Sequence, residues 1–207
     1  MNLAAALAEG VAELGLELSA AAQARLLAYL ALLEKWNRVY RLSGVRDPEQ
    51  MLSQHVLDSL AVLPHLAGRR IADVGSGAGL PGIPLAIALE RAQVTLLDSN
   101  QKKTGFMRQA AIELKLANVD VVCERVEQWR VAQQFDVVIS RAFADVAAFV
   151  RFAGHLCERH GVLAAMKGLY PHEELARLPA PFRLRQVVPL RVPRLRGARH
   201  LVLLERF

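Results

Sequence analysis

The feature that most constrains this chain is a succession of short apolar runs separated by helix-length segments. IADV (71–74), VTLLD (94–98), VDVVC (119–123), FDVVIS (135–140) and GVLAAMK (161–167) are nearly continuously apolar and rich in β-formers. A half-exposed strand alternates; runs of this kind suit a parallel sheet covered on both faces. Helix candidates fall between them at Pro81–Leu89, Asn100–Leu116 and Asp145–Glu158, with a short piece near Val126–Arg130. Alternating strands and helices specify a doubly wound α/β sheet of Rossmann-like type. After a further helix candidate at Glu173–Leu178, the runs Phe182–Val192 and Arg199–Phe207 are divided by proline and arginine. They read as an antiparallel hairpin at one sheet edge.

The chain before residue 67 has a different period. Leu26, Tyr29, Leu30, Leu33 and Trp36 fall at i, i+3, i+4 spacing, an apolar stripe on one helix. A second helix starts where Asp47 can cap, Pro48 suits the first helical position and Gln50 completes a capping box; it runs through MLSQHVLDSLAVL to Pro64. The chain therefore divides into an N-terminal helical cap, 1–66, packed on a core, 67–207.

DVGSGAGLPG (73–82) joins the first strand to the first core helix. A dinucleotide fingerprint, G-x-G-x-x-G, would need glycine at position 80, which is Leu80, and Pro81 removes an N–H that a pyrophosphate would use. The spacing is D-x-G-x-G-x-G, with Gly75 and Gly77 in the turn. S-adenosylmethionine (SAM) has no phosphate and needs bare backbone beside its methionyl tail. It also needs an acid at the end of the second strand for its ribose hydroxyls. Asp98 stands there, 23 residues after Gly75. SAM is therefore the expected cofactor, and Val126 and Glu127, after the third strand, are placed to border the adenine.

The residues after the fourth strand narrow the chemistry. Enzymes that methylate exocyclic amines commonly carry an Asn/Asp-Pro-Pro-aromatic turn there; this chain has Ile139-Ser140-Arg141-Ala142-Phe143. C5-cytosine methylation needs a nucleophilic cysteine nearby, and Cys123 and Cys157 lie elsewhere in apolar runs that read as buried. Guanine N7 carries a lone pair and no proton, so its methylation needs alignment and charge management rather than a base. Arg141 is the expected catalytic residue. His55 and Asp58, three apart on one helix face, read as a buried hydrogen-bonded pair docking the cap near the pocket.

The net charge of +6 favours an acidic partner such as nucleic acid. The excess is concentrated from Phe182 onward, where seven arginines, among them Arg194, Arg196 and Arg199, face one acid, Glu205. The N-terminus carries Glu9 and Glu13 and no early basic residue, a poor targeting segment. No uncharged apolar run reaches the roughly 18 residues of a membrane span. The six histidines are scattered and no metal-ligand spacing surrounds the cysteines. A cytoplasmic protein without membrane or metal is expected.

At these residues the sequence resembles the RsmG, or GidB, family. The matching stretches are NRVYRL (37–42), QHVLDSLAVL (54–63), DVGSGAGLPGIP (73–84), LLDSNQKK (96–103), FDVVISRAF (135–143) and AMKG (165–168). The combination of HxxDS, GxPGIP and SRA is more specific than the general SAM fold, although Arg41 replaces the small polar residue expected after the asparagine-aromatic run. The resemblance implies a class I SAM-dependent methyltransferase with an N-terminal helical cap, acting on N7 of a single guanine of bacterial 16S ribosomal RNA, guanine 527 in rRNA numbering. It implies SAM contacts at Gly75, Leu80, Val126, Glu127 and Arg141. Beside these, Lys167, His55, Asp58, Arg194, Arg196 and Arg199 are expected as substrate or pocket support. A small-molecule methyltransferase on the same fold, or a SAM-binding RNA-associated protein without activity, are the rival readings.

Overall fold

The computed structural model describes residues 2–141, 143 and 145–207. Two helices that pack on each other open the chain, α1 (Leu3–Glu13) and α2 (Ala20–Tyr40). Asn2 caps the first, and Ser19 caps the second by accepting from Ala22 N at 3.1 Å. Arg41 ends α2 in the left-handed region, φ 52°. The next helix starts where expected: Asp47 accepts from Gln50 N at 2.9 Å and Pro48 opens α3 (Pro48–Met51). It does not continue as a plain α-helix. Leu52–Leu57 is wound as a π-helix before a last α turn, α4 (Asp58–Leu60). Insertions of this kind are rare and often sit at functional sites.

Seven strands form one sheet: β1 (Arg70–Val74), β2 (Gln93–Leu97), β3 (Val119–Val122), β4 (Phe135–Ser140), β5 (Cys157–Lys167), β6 (Phe182–Pro189) and β7 (His200–Arg206). Their order is β3-β2-β1-β4-β5-β7-β6, parallel from β3 to β5, with β7 antiparallel to both β5 and β6. The helices between them are α5 (Gly82–Ala88), α6 (Gln101–Glu113), α7 (Val146–Ala153) and α8 (His172–Leu175). The apolar strands divide their side chains between two cores. Ile71, Val94, Leu96, Val137 and Ile139 pack with the cap helices, α5 and α6; Ala72, Val74, Leu97 and Val138 pack with α7 and Trp129. The cap helices thus share one continuous core with a sheet face, Tyr29, Leu33 and Leu57 being fully buried in it.

Three local expectations are corrected. Residues 126–130 form a turn and no helix. The α-helix expected to reach Glu158 ends at Ala153, a 3-10 turn follows over Gly154–Leu156, and β5 begins at Cys157. The β4–β5 register shifts between Phe135 and Val137, and Gly161 fits there because an added Cβ would lie 2.8 Å from Asp136 O. Cys157 is buried as expected, its thiol pushed up to about 12 by that burial, but Cys123 is only half-buried.

Candidate active site

The turn after β1 is built around two buried carboxylates. Gly75, Gly77 and Gly79 have φ of 72°, 59° and 82°, values that side chains disfavour. A Cβ on Gly79 would strike Ile83 Cδ1 at 2.4 Å, whereas one on Gly77 would meet nothing nearer than Gly75 O at 3.9 Å. The space over Gly77 is therefore open. Beneath it, Asp73 accepts from Gly82 N at 2.8 Å, so the acid of the motif caps α5. Its other oxygen is buried without a partner, and burial raises its pKa to about 7. The second carboxylate, Asp98 at the end of β2, accepts from Gly77 N at 3.0 Å and from Asn100 N at 2.9 Å, with Lys103 Nζ at 3.4 Å. Tyr29 of α2 reaches the same turn: its hydroxyl donates to Ala78 O at 2.7 Å, and burial pushes its pKa upward.

A cleft of about 350 Å³ lies at the carboxyl ends of β1, β2 and β3, lined by Gly75, Asp98, Lys103, Val126 and Glu127 together with Phe143 and Phe152. This is where open α/β sheets bind ligands. A bare glycine turn, an acid for ribose hydroxyls and apolar walls for an aromatic ring together fit SAM. Gly77 and Leu80 shape the turn without lining the cleft, Leu80 being buried. Lys103, Phe143 and Phe152 escape sequence reasoning. Lys103 had a signal, five residues after Asp98 on the first turn of α6; the two phenylalanines belong to segments that only the fold brings together.

Arg141 stands in a second cavity, about 360 Å³, with Gln54, His55, Asp58, Met166, Lys167 and Arg199. Its guanidinium donates from one Nη to Gln54 O at 2.9 Å, inside the π-helical stretch, and lies 3.4 Å from Asp58 Oδ2. Arg199 Nε donates to the other Asp58 oxygen at 3.1 Å. One buried carboxylate from the cap thus links arginines from the ends of β4 and the hairpin. Burial raises the Asp58 pKa, against the pull of both guanidiniums. Lys167 pairs with Glu174 at 2.9 Å.

The expected His55–Asp58 hydrogen bond is absent. His55 Nε2 is 2.7 Å from Ser43 Oγ, and its Nδ1 is buried with no partner. Both Asp58 oxygens are engaged by the arginines, and the π-helical winding breaks the simple i, i+3 geometry assumed from spacing. Burial and the nearby Arg141 hold the His55 pKa down at about 4, so the ring is neutral near pH 7. Arg194 and Arg196 line neither cavity: Arg194 pairs with Glu9 and Arg196 is exposed. Ser140 Oγ donates to Val74 O at 2.7 Å and ties the ends of β4 and β1; Ala142 of the Ser-Arg-Ala element lies outside the described residues. No helix is long and apolar enough to cross a membrane, and no group of three or more potential metal ligands gathers among the described residues.

The fold and the cofactor cleft define a class I SAM-dependent methyltransferase. Solved structures agree on the fold: a SAM-dependent methyltransferase from Aquifex aeolicus matches with TM-score 0.58 and 19% identity over 79% of this chain and 96% of its own. The mitomycin 7-O-methyltransferase MmcR matches with TM-score 0.65 and 13% identity over 86% of this chain and 60% of its own. Residues 22–202 match the GidB family, rRNA small subunit methyltransferase G, and the chain belongs to that family. Ribosomal RNA small subunit methyltransferase G of Nitrosospira multiformis is 58% identical over 100% of this chain and 99% of its own length. The protein of the same name from Laribacter hongkongensis is 56% identical over 98% of each.

Proposed function

We propose that this methyltransferase modifies N7 of one guanine, guanine 527 in rRNA numbering, in the 16S rRNA of the bacterial small ribosomal subunit, in the cytoplasm. The observation that carries the reading is the second cavity. Arg141 lines it and Phe143, two residues further on, lines the cofactor cleft; among the described residues it offers charge without a free base. Its two candidate bases are committed: Asp58 to two arginines, His55 to Ser43 with its second nitrogen enclosed. Guanine N7 needs no base. Bound SAM supplies an electrophilic methyl group on a sulfonium. In this reading Gly75 gives the backbone approach in a turn shaped by Gly77, Asp98 accepts from the ribose, and Val126 and Glu127 border the adenine. Arg141, with Lys167 and Arg199, holds the guanine O6 or an adjoining phosphate so that N7 faces the cleft. Residues 1–66 act as a cap that presents Asp58 and His55 to this cavity, and Arg194 and Arg196 add phosphate contacts outside it.

Calorimetry and a transfer assay test this together. Asp98→Ala removes a charge-assisted acceptor, and about 1.5–3 kcal/mol of SAM affinity goes with it. Gly75→Val blocks the turn. Unchanged SAM affinity in a folded Gly75→Val protein contradicts the cofactor placement. Transfer from labelled SAM to a small molecule, with none to unmethylated small subunits, supports the small-molecule alternative.

A further inference from the structure

Just beyond the cationic cavity the chain displays side chains that its own fold does not need. Leu169 and Tyr170 follow Lys167 and Gly168 out of β5, and they are 80% and 41% exposed. The Tyr170 ring is nevertheless held. Its centroid is 4.2 Å from the His172 ring and 5.6 Å, edge-on, from the His200 ring. His200 is fixed in turn: its Nδ1 is 3.0 Å from Gly168 O, and in the β5–β7 ladder it stands opposite Lys167. The neighbours on both sides, Gly168 on β5's end and Arg199 before His200, line the cavity with Arg141. An aromatic face is thus propped by two imidazoles at the rim of a pocket walled by three cations.

We propose that Tyr170 is a stacking platform for an unpaired RNA base next to the guanine admitted to the cavity. The inference rests on the proposed rRNA substrate. Single-stranded RNA is gripped in this way, by cations on its phosphates and aromatic rings on its splayed bases, and stacking tolerates any base. The ring needs no hydroxyl for this, so Tyr170→Phe should behave as wild type. Tyr170→Ala should weaken RNA binding, by roughly 5- to 150-fold on the scale of stacking losses. Because the side chain touches neither the cofactor cleft nor the buried core, SAM affinity and melting temperature should not move.

The test compares wild type, Tyr170→Phe and Tyr170→Ala, all saturated with SAM or its demethylated product. Two quantities are measured: KM for unmethylated small subunits, and affinity for a short single-stranded oligoribonucleotide. A raised KM and weakened oligonucleotide binding in the alanine variant, both restored in phenylalanine, support stacking. Equal losses in both variants would mean the hydroxyl matters and overturn it, as would no loss in either. A KM defect on particles with unchanged oligonucleotide binding would place a ribosomal protein on this rim and also overturn it. Failure of the wild type to methylate particles would defeat the rRNA reading alone; the oligonucleotide arm would still decide the stacking.

Discussion

Asp58 is the carboxylate on which the cationic cavity is organised. It is 2% exposed and joins Arg141 to Arg199. Removing one partner from a fully buried ionic group typically costs about 3–5 kcal/mol; the two guanidiniums left here are 28% exposed and can hydrate, so the loss is smaller. Asp58→Ala should therefore lower thermal stability measurably and release Arg141 from its position. Arg141→Lys is the more selective probe. Lysine keeps the charge but lacks the rigid planar guanidinium, one Nη of which meets both Gln54 O and Asp58 Oδ2 and leaves the other N–H groups for a ligand. Loss of one preorganised donor usually costs about 10²–10³ in rate, and the folded lysine variant should show that loss in single-turnover transfer. Loss of SAM affinity as well would make Arg141 a cofactor contact first, the role the family resemblance implies. His55 gives a pH signature. Its pKa of about 4 in the folded protein lies below the ordinary 6.5. From pH 6.5 down to about 4 the unfolded chain takes up a proton that the folded chain refuses, so this contribution to stability is complete above 6.5 and shrinks as pH falls. Asp73, raised to about 7, acts with the opposite sign over much of this range. The test is thus the difference between chemical denaturation of wild type and of His55→Gln: the variant should lose less stability on acidification. Equal slopes would mean that the imidazole is not desolvated.

At the scale of elements, the cap and the cofactor turn are joined by Tyr29. A tyrosine on the apolar stripe of α2 reads as core, and the ring is indeed fully buried; its hydroxyl also supports Ala78 O within the glycine turn. Tyr29→Phe deletes that bond at nearly constant volume, at a cost of about 0.5–1.5 kcal/mol. Part of it should appear as weaker SAM binding by calorimetry, and a purely structural role would leave that affinity unchanged. The core role of Tyr29 is legible in the sequence, whereas its bond to the turn is not. Parallel strands announce themselves because both faces are covered, and the acid ending β2 stands at a spacing the fold imposes. The hairpin is readable from its proline and arginine interruption. The π-helical winding of Leu52–Leu57 is not, since its residues have ordinary helical patterning. Nor is the separation of His55 from Asp58, whose oxygens are taken by Arg141, just after β4, and Arg199, just before β7, both far away in the chain.

For the whole molecule, the basic C-terminal region is distributed between two jobs. Arg199 is drawn into the cavity and Arg194 pairs with Glu9, whereas Arg185, Arg191 and Arg196 are exposed. If the exposed arginines meet phosphates, replacing these three with glutamine should flatten the dependence of log affinity on log salt by about 0.7–0.9 per lost contact. An unchanged slope would make them a solvated edge. The proposed acceptor, guanine N7 in rRNA, rests on the cofactor cleft and on a cationic cavity whose two candidate bases among the described residues, Asp58 and His55, are engaged. The most direct measurement incubates the protein with methyl-labelled SAM and unmethylated small ribosomal subunits, then maps the labelled nucleotide by mass spectrometry. The expected result is one methyl group per particle, on N7 of the single guanine numbered 527 in 16S rRNA. Label on an exocyclic amine, a pyrimidine carbon or a ribose hydroxyl would contradict the account, as would SAM binding with no label in the RNA.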